Sequence, residues 1–240
     1  MRLSLLLVTL LAAAVLALPR SALGQRPNIL FCISDDQSWA YTGANGDPIV
    51  KTPAFDRIAA EGLRFVHSFC NAPTCGPSRS AILTGQPIWR LEEAGNIHST
   101  LPAKFATYTE ELQKVGYIVA STGKGWGPGR LEPGDRTQQP AGTPRHGRTL
   151  KPPFSGIRNI DYAGNFDDFV HELRGDQPFC FWLGAFEPHR DFEKGSGIAT
   201  GKSPARVVVP KIFPTTRSSG PTSSTTSWRS STSMRWSPGR

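Results

Sequence analysis

Cys75 begins the string CGPSRSAILTG, which ends at Gly85 and combines reactive and positioning residues more specifically than any other part of the chain. Pro77 is typical of the first turn of a helix, and Gly85 is typical of the residue after its end. The N–H groups and positive dipole end of such a helix stabilise an anion beside its first residue. Arg79 adds a cation within one turn. The spacing therefore predicts that a side chain at position 75 meets an anionic group.

Asp35 and Asp36 follow the apolar run Asn-Ile-Leu-Phe-Cys-Ile, residues 28–33. This run predicts a strand covered on both faces, and ligand sites of open α/β sheets gather where such strands end. Paired carboxylates suit a hard divalent cation such as calcium. From the residues alone, a turn with a helix cap explains the pair equally well.

Two further candidates stand in loops after predicted strands. Lys124 lies in Gly-Lys-Gly-Trp-Gly-Pro-Gly, which keeps a cation on a loop but lacks the residue order of a phosphate-binding P-loop. His189 lies in Phe-Glu-Pro-His-Arg, after the apolar run 179–183. A lone loop histidine is more often solvated than catalytic, but imidazole suits proton transfer near neutral pH. His67 and His98 have no comparable context and are interpreted as structural.

The string at Cys75 resembles the signature of the sulfatase family, in which Cys-x-Pro-Ser-Arg is followed by Leu-Thr-Gly. The resemblance covers approximately Pro27 to Pro210. It implies that a formylglycine-generating enzyme, or an anaerobic sulfatase-maturating enzyme, oxidises Cys75 to formylglycine. This aldehyde is used as its hydrate: one hydroxyl attacks sulfur, and the other later expels the sulfate. That is covalent catalysis with a self-clearing intermediate.

The resemblance also implies the metal site. In the family the two acids that correspond to Asp35 and Asp36 bind calcium (Ca2+) beside the formylglycine, which makes the modified Cys75 a ligand as well. Calcium and Arg79 would stabilise the anion of the hydrate.

The loop residues receive roles from the same resemblance. A lysine in the place of Lys124 contacts the sulfate, and a Pro-His in the place of His189 contacts the sulfate or assists the leaving oxygen. The family usually has a histidine two residues after that lysine. Here the position is Trp126, a departure that leaves the partner histidine unassigned.

Within the family, Gly-Lys-Gly-Trp-Gly-Pro-Gly with Ala-Phe-Glu-Pro-His-Arg looks closest to heparan N-sulfatases (sulfamidases). The expected reaction is hydrolysis of a sulfate ester or sulfamate on a sulfated or N-sulfated saccharide. Two alternatives stay open. One is a phosphonate or phosphate monoesterase of the same superfamily. The other is a non-catalytic secreted fragment that binds acidic polymers through a cationic tail.

The elements that must position these residues alternate between strands and helices, which predicts an α/β fold with a mostly parallel sheet sandwiched by helices. The resemblance implies the alkaline-phosphatase-like sulfatase fold, incomplete at the C-terminus. Besides the helix at Pro77, we expect helices at about 53–61 and 108–115, strands at 63–69, 117–120 and 179–183, and mostly loop from 125 to 178.

The first residues predict export. Arg2 precedes an uncharged apolar run from 3 to 18, and Ala22-Leu23-Gly24 supplies small residues for cleavage. We interpret 1–24 as a signal peptide, and the run is short for a bilayer span. The protein is therefore expected to be secreted or periplasmic, with no stable membrane insertion.

The last residues differ in composition from the segment 25–213, which we interpret as the N-terminal part of a sulfatase catalytic domain. Ser and Thr make up 15 of the 26 residues from 215 to 240. We expect 214–240 to be a disordered basic tail or the product of a frameshift. Further calcium ligands that the family takes from a later strand do not precede this tail. The polypeptide as written is thus expected to fold poorly and to be weakly active or inactive.

The distribution of charge and the spacing of the cysteines argue against a nucleic-acid-binding protein and against a zinc site. The net charge is +8, but seven of the 27 basic residues and none of the 19 acidic residues lie from Gly195 onward. The preceding chain is nearly neutral, which argues against a nucleic-acid partner. Four cysteines in an exported chain could form two disulfides, and their spacing does not favour a zinc site.

Overall fold

A parallel sheet of four strands organises the residues that this computed structural model describes, which are 26–132 and 135–208. The strands span Ile29–Ile33 (β1), Ile118–Gly123 (β2), Thr143–Pro144 (β3) and Phe179–Gly184 (β4). The helices span Pro53–Glu61 (α1), Cys75–Thr84 (α2), Tyr108–Lys114 (α3), Tyr162–Glu172 (α4) and Ser196–Ala199 (α5). The strand order is β1-β4-β2-β3, and all pairings are parallel. The predicted α/β fold with a mostly parallel sheet is confirmed.

The strand β4 separates two hydrophobic cores. It pairs with β1 on one side and β2 on the other, and most of its residues are buried. Because successive side chains of a strand point to opposite faces, Trp182 and Phe181 enter different cores. Trp182 packs in a cluster with Leu83 of α2, whereas Phe181 packs with Phe169 of α4. A strand covered on both faces is thus found at 179–184, as its apolar sequence predicts.

The helix α2 carries the signature residues. Its first hydrogen bond is donated by the N–H of Ser78 to the carbonyl of Thr74 at 3.0 Å. Pro77 lies in the first turn, where no intrahelical donor is required. Gly85 follows the helix with φ of 65°, a left-handed conformation that favours glycine. The predicted helix, with Pro77 in its first turn and Gly85 after its end, is confirmed, and it begins at Cys75.

Two other predicted helices are confirmed. Pro53 occupies the first position of α1, and Gly62 follows its end. The helix α3 begins after Thr107, whose side chain accepts a hydrogen bond from the N–H of Glu110 while the Glu110 carboxylate accepts one from the N–H of Thr107. This capping box fixes the entry to β2.

The predicted strand from Leu63 to Phe69 is wrong. These residues form a turn and irregular structure, and their side chains are exposed by 87% at Leu63, 76% at Phe65 and 86% at Phe69. The alternation of apolar residues is present, but no strand within the described parts of the chain pairs with this segment. An unpaired extended segment gains no sheet hydrogen bonds and has no face to bury.

The expectation that β1 is covered on both faces is also wrong. Phe31 and Ile33 pack against the cluster of Trp182, but Leu30 is 41% exposed and Cys32 is exposed as well. The strand lies at an edge of the described sheet, and the helix that covers this face, α4, contacts β2 and β4 instead. An edge position therefore leaves one face of β1 open.

An eleven-residue helix, α4, lies within the stretch expected to be mostly loop. Asp161 caps it through its side chain. Tyr162, Phe166, Phe169 and Leu173 recur at a spacing of three and four residues, which is typical of a helix with one buried face. The many glycines and prolines around this segment obscure that pattern.

The predicted signal peptide, 1–24, and the predicted tail, 214–240, lie outside the described residues. Within the parts that are described, no helix combines the length and the apolar character needed to cross a bilayer. The disulfides that an even cysteine count permits are not formed, because all four cysteines have free thiols: Cys32, Cys70, Cys75 and Cys180.

Candidate active site

The carboxyl ends of β1, β2 and β4 meet at one edge of the sheet, because these parallel strands pair with their last residues side by side. Asp35 follows β1, Lys124 follows β2, and His189 lies in the loop after β4. Ligand sites of open α/β sheets form at such an edge. The topology therefore gathers side chains that are far apart in sequence.

Cys75 joins this group from the first position of α2. Its Sγ, a carboxylate oxygen of Asp35 and a ring nitrogen of His189 all lie within 4.8 Å of one another. Cys75 is half-buried. The side chain of the preceding residue, Thr74, makes no capping hydrogen bond to the helix. The positive end of the helix dipole thus lies at the Cys75 side chain, where it stabilises an anion.

Gly76 allows two loops to close around this helix start. A Cβ atom at Gly76 would lie 3.0 Å from the carbonyl oxygen of Pro128 and 3.8 Å from the Cα atom of Ile97. The loops are joined to each other, because the N–H of His98 donates to the same Pro128 carbonyl at 3.1 Å. A larger residue at position 76 would displace at least one of them.

Asp35 lies between two cations. Its Oδ1 atom accepts a hydrogen bond from the NH2 group of Arg79 at 3.2 Å, and its Oδ2 atom accepts one from Nζ of Lys124. The exposed fractions of these side chains are 5% for Asp35, 2% for Arg79 and 12% for Lys124. Such ion pairs are screened by water much less than surface pairs. The pairing compensates the cost of burying the carboxylate.

Arg79 also fixes the loop after β2. Its NH1 group donates to the carbonyl of Lys124 at 2.7 Å and to that of Gly125 at 2.8 Å. Burial lowers the pKa of Arg79, and the charge of Asp35 opposes this shift. The guanidinium remains charged, since its ordinary pKa is far above neutral. The guanidinium of Arg79 binds Asp35 and these carbonyls, and so holds Asp35 and the Lys124 loop in position.

Asp36 and His189 approach each other at the open side of the site. The Nε2 atom of His189 lies 3.5 Å from Oδ2 of Asp36, and the exposed fractions are 43% and 58%. The Nδ1 atom of His189 contacts the carbonyl of Arg190. Asp36 adopts φ of 56°, an uncommon conformation for a residue other than glycine. Asp36 therefore turns away from the buried position of Asp35 and toward the histidine.

The donor atoms suit a divalent cation in part. The cluster that could hold a metal in 26–132 and 135–208 consists of Asp35, Cys75 and His189, without Asp36. Calcium prefers oxygen ligands, so a thiol and an imidazole are poor donors for it. Asp35 and Asp36 supply carboxylate oxygens, and conversion of the Cys75 thiol to an aldehyde hydrate would add oxygen there. The carboxylates thus fit calcium, and the unmodified cysteine does not.

Trp126 does not take the place of the missing histidine. It is 6% exposed, it packs in the cluster of Leu83 and Trp182, and its Nε1 atom donates to Oγ of Ser80 at 2.8 Å. Its indole therefore connects the loop after β2 to α2. A ring buried in this way cannot contact a substrate, so the departure from the family pattern has a packing role.

Two polar residues at this edge escaped the reasoning from sequence: Glu187, which is buried, and Tyr162, which is half-buried. Glu187 contacts the backbone of Asp35, and Tyr162 contacts the backbone of Phe186. Tyr162 begins a helix that was not predicted. Glu187 stands beside His189 in Phe-Glu-Pro-His-Arg, and an acid so close to a candidate histidine is a signal that could have been used.

A cavity of about 560 Å³ lies away from these residues. Its carboxylates have partners of their own, such as Glu92 with Lys104 and Glu132 with Arg130. No predicted site residue lines it; the lining residues are Glu92, Glu93, Ser99, Thr100, Pro102, Lys104, Arg130, Glu132 and Asp135. We therefore place the candidate active site at the strand ends, where the reactive groups are.

Comparison with known proteins decides the family. Residues 27–196 match the model of the sulfatase family, which is most of the chain. The chain belongs to the sulfatase family. Among curated sulfatases, arylsulfatase G of Canis lupus familiaris is 39% identical over 105 residues, which are 42% of this chain and 20% of that protein. N-acetylgalactosamine-6-sulfatase of Mus musculus is 37% identical over 132 residues, 47% of this chain and 25% of that protein.

Solved structures share the fold. One is BT4656 in complex with its substrate D-glucosamine-2-N,6-O-disulfate, at 24% identity over 80% of this chain and 39% of that chain, with a TM-score of 0.56. At this level of identity the likeness establishes the fold alone. The sulfatase matches above span only 20% and 25% of the relatives' length. Neither relative is a heparan N-sulfatase, so that narrower resemblance stays a prediction.

Proposed function

We propose that this sulfatase-family chain takes part in hydrolysing a sulfate ester or sulfamate on a carbohydrate, with the nucleophile derived from Cys75. The observation that carries the proposal is the convergence of Cys75, Asp35 and His189 within 4.8 Å, at the start of a helix. The ammonium group of Lys124 forms an ion pair with the carboxylate of Asp35. A helix start, a cation and a histidine around one reactive side chain suit attack on a tetrahedral anion.

The proposal requires that Cys75 be matured. Conversion of its thiol to formylglycine is a two-electron oxidation of Cβ in which the sulfur leaves as sulfide and water supplies the aldehyde oxygen. A maturating enzyme, of the formylglycine-generating or the anaerobic kind, provides the electron acceptor. The hydrated aldehyde then supplies one hydroxyl as nucleophile and a second to release the sulfate. In the net reaction the S–O bond of a sulfate ester or the S–N bond of a sulfamate breaks, and water supplies one oxygen of the released sulfate and the proton of the released alcohol or amine.

The chain's own residues would bind and orient the anion. The side chain of Lys124 is 12% exposed and pairs with Asp35, and its ammonium group would contact sulfuryl oxygens bound beside that carboxylate. Arg79 is nearly buried and would act by holding Asp35 and the Lys124 loop in place. The N–H groups at the start of α2 would stabilise charge on the side chain at position 75.

His189 would transfer a proton to the departing oxygen or nitrogen. Donation of a hydrogen bond from Nδ1 to the Arg190 carbonyl would leave Nε2 as the atom that exchanges a proton with the substrate. The approach of Asp36 to Nε2 orients the ring toward the site. A positioned acid of this kind typically contributes about 10² to 10⁴ in rate.

Calcium would be held by Asp35 and Asp36 together with the oxygen of matured Cys75. When bound, it supplies positive charge that stabilises the oxyanion of the nucleophile. Lys124 and Arg79 also balance the charge of Asp35.

The proposed substrate class is a sulfated or N-sulfated saccharide. The fold is shared with BT4656, whose substrate is a glucosamine sulfated on nitrogen and oxygen. Heparan N-sulfatase-like selectivity is the narrower proposal, which rests on the loop sequences around Trp126 and His189. Export by the segment 1–24, and hence a secreted or periplasmic location, belongs to the same proposal.

The test begins with the full chain coexpressed with a formylglycine-generating enzyme. Intact-mass analysis should show replacement of the thiol at Cys75 by an aldehyde, and a Cys75→Ala variant should show none. The wild-type protein should then release sulfate from 4-nitrophenyl sulfate or N-sulfoglucosamine in a calcium-dependent way. Faster hydrolysis of 4-nitrophenyl phosphate would favour the phosphate monoesterase alternative. Unmodified Cys75 with no calcium uptake would favour the non-catalytic fragment and overturn the proposal.

A further inference from the structure

We propose that Tyr162, which is half-buried, and Glu187, which is buried, form a positioning pair that fixes the loops carrying Asp35, Lys124 and His189. The inference rests on the proposed function, since it assigns these two residues to the same reaction. Neither is expected to touch the substrate. Their effect would pass through the backbone at the ends of β1, β2 and β4.

Glu187 connects β1 to the loop after β4. Its backbone carbonyl accepts a hydrogen bond from the N–H of Asp35 at 3.0 Å. Its side chain is buried, with 2% exposed, and its Oε1 atom accepts from the N–H of Arg158 at 2.8 Å. The residue is separated from His189 only by Pro188. A shift of Glu187 would therefore move Asp35 and His189 together.

Tyr162 holds Glu187 from the start of α4. Its phenol donates to Oε2 of Glu187 at 2.9 Å and accepts from the N–H of Phe186 at 3.1 Å. Burial and the charge of Glu187 raise the pKa of Tyr162, so the phenol keeps its proton and acts as a donor. The guanidinium of Arg158 lies 4.9 Å from the ring centre of Phe186 and closes the same loop.

The ring of Tyr162 also reaches β2. A Cβ atom at Gly123 would lie 2.5 Å from Cε1 of Tyr162, so the ring packs on the backbone at this position. Gly123 is the last residue of β2 and directly precedes Lys124. The phenol and the ring of one residue thus contact the ends of two strands that carry site residues.

Burying a carboxylate costs free energy unless it is hydrogen-bonded, so an apolar side chain would fill the position of Glu187 at a lower cost if only packing were required. Hydrogen bonds to an ionised acceptor are stronger and more directional than neutral ones. Both oxygens of Glu187 are occupied by donors from another part of the chain. These features suit a residue whose position must be well defined.

The expected consequence is a loss of alignment between the proton donor and the departing group. Misplacement by about 1 Å can cost roughly 10²-fold in rate. The loss of rate should be larger for a substrate whose leaving group is more basic, because such a group depends more on proton donation. Phenyl sulfate has a poorer leaving group than 4-nitrophenyl sulfate, so it reports on His189 more strongly.

The first test compares Tyr162→Phe with Tyr108→Phe in the matured full chain. Tyr108 is a partly buried tyrosine on α3 that packs beside Cys180, so it controls for loss of a phenol. For Tyr162→Phe we expect kcat to fall about tenfold on phenyl sulfate and clearly less on 4-nitrophenyl sulfate, with KM little changed. Tyr108→Phe should leave the ratio of the two rates unchanged. Equal losses on both substrates in Tyr162→Phe, or no loss, would overturn the inference.

A second measurement does not depend on activity. In protein labelled with 15N-histidine, the His189 ring signals, assigned with His189→Gln, should shift or broaden in Tyr162→Phe and in Glu187→Gln but not in Tyr108→Phe. The Glu187→Gln variant keeps the side-chain shape and serves if Tyr162→Phe does not fold. Unchanged His189 signals in both site variants would refute the pair. If wild-type protein hydrolyses neither sulfate ester, the proposed function fails, while the His189 signals still test the pair.

Discussion

The NH2 group of Arg79 lies 3.2 Å from Oδ1 of Asp35, and both side chains are almost completely buried. The same guanidinium binds two carbonyls of the loop after β2. The arginine of the signature therefore joins three parts of the chain: its own helix, the end of β1 and the loop that presents Lys124. Its planar fork of donors makes this possible.

Arg79→Lys should therefore damage both the fold and the site. A lysine keeps the charge but cannot reach Asp35 and both carbonyls at once, and a buried polar group left unpaired costs about 1–3 kcal/mol. We expect the free energy of unfolding in urea to fall by about 2 kcal/mol, with loss of activity. Arg174→Lys, at an exposed position, should change stability by less than about 0.5 kcal/mol. Equal stability of the two variants would contradict this account.

Gly76→Ala should destabilise the start of α2. The added methyl group would meet the Pro128 carbonyl at 3.0 Å, which is backbone and can move only with its loop. Overpacking of this kind typically costs about 1–3 kcal/mol, measured by thermal or urea unfolding. Gly147→Ala provides the matched control, because nothing lies within 4 Å of a Cβ atom there. A stability loss that is the same at both glycines would show that the clash is not the cause.

Trp126→His should not restore the family's histidine function. The position lies in the core beside Leu83, so the smaller ring would leave a cavity and lose the packing of the indole. We expect the free energy of unfolding to fall by about 3 kcal/mol, with no gain in kcat on 4-nitrophenyl sulfate. The same exchange at Trp89, which is 78% exposed, should be nearly neutral. A faster Trp126→His enzyme would mean that the side chain reaches the substrate.

Stability should fall as pH rises above about 9, partly because of Cys180. Burial raises the pKa of its thiol from the ordinary 9.0 to about 11. Between these values the folded state keeps the proton and the unfolded state loses it, so this contribution is complete below pH 9 and is lost as pH rises toward 11. The loss is on the order of 2 kcal/mol. Urea unfolding at several pH values gives the free energy of unfolding as a function of pH. Between pH 9 and 11 this free energy should fall less steeply with pH in Cys180→Ala than in the wild type. An identical pH dependence in the two proteins would exclude the thiol as a source.

Short sequence patterns correctly predicted several helices and strands. The helix at α2 has a proline in its first turn and Gly85 after its end, and α1 is marked in the same way by Pro53 and Gly62. The apolar run at β4 predicted a strand buried on both faces. The resemblance to sulfatases then singled out Cys75, and the fold places its side chain at the strand ends.

Tertiary context decided what the sequence did not predict. The run at β1 resembles that at β4, but only an element elsewhere in the chain determines whether its second face is covered. The alternation at 63–69 lacks a partner strand in the described residues. The ion pair between Arg79 and Asp35 was not expected, because the geometry of the β1 end cannot be read from spacing. Tyr162 and Glu187 act through backbone contacts, which leave no motif.

The position of β4 between β1 and β2 has a consequence for the order in which the protein is made. A ribosome completes β1, α2 and β2 well before it reaches residue 179, and until then the first and second strands have no neighbour to join them. Contacts between distant parts of a chain form late for this reason. The nascent polypeptide therefore passes through a period in which position 75 is already synthesised and still accessible. The maturating enzyme that we propose for Cys75 would have this interval in which to act, before the central strand joins the sheet.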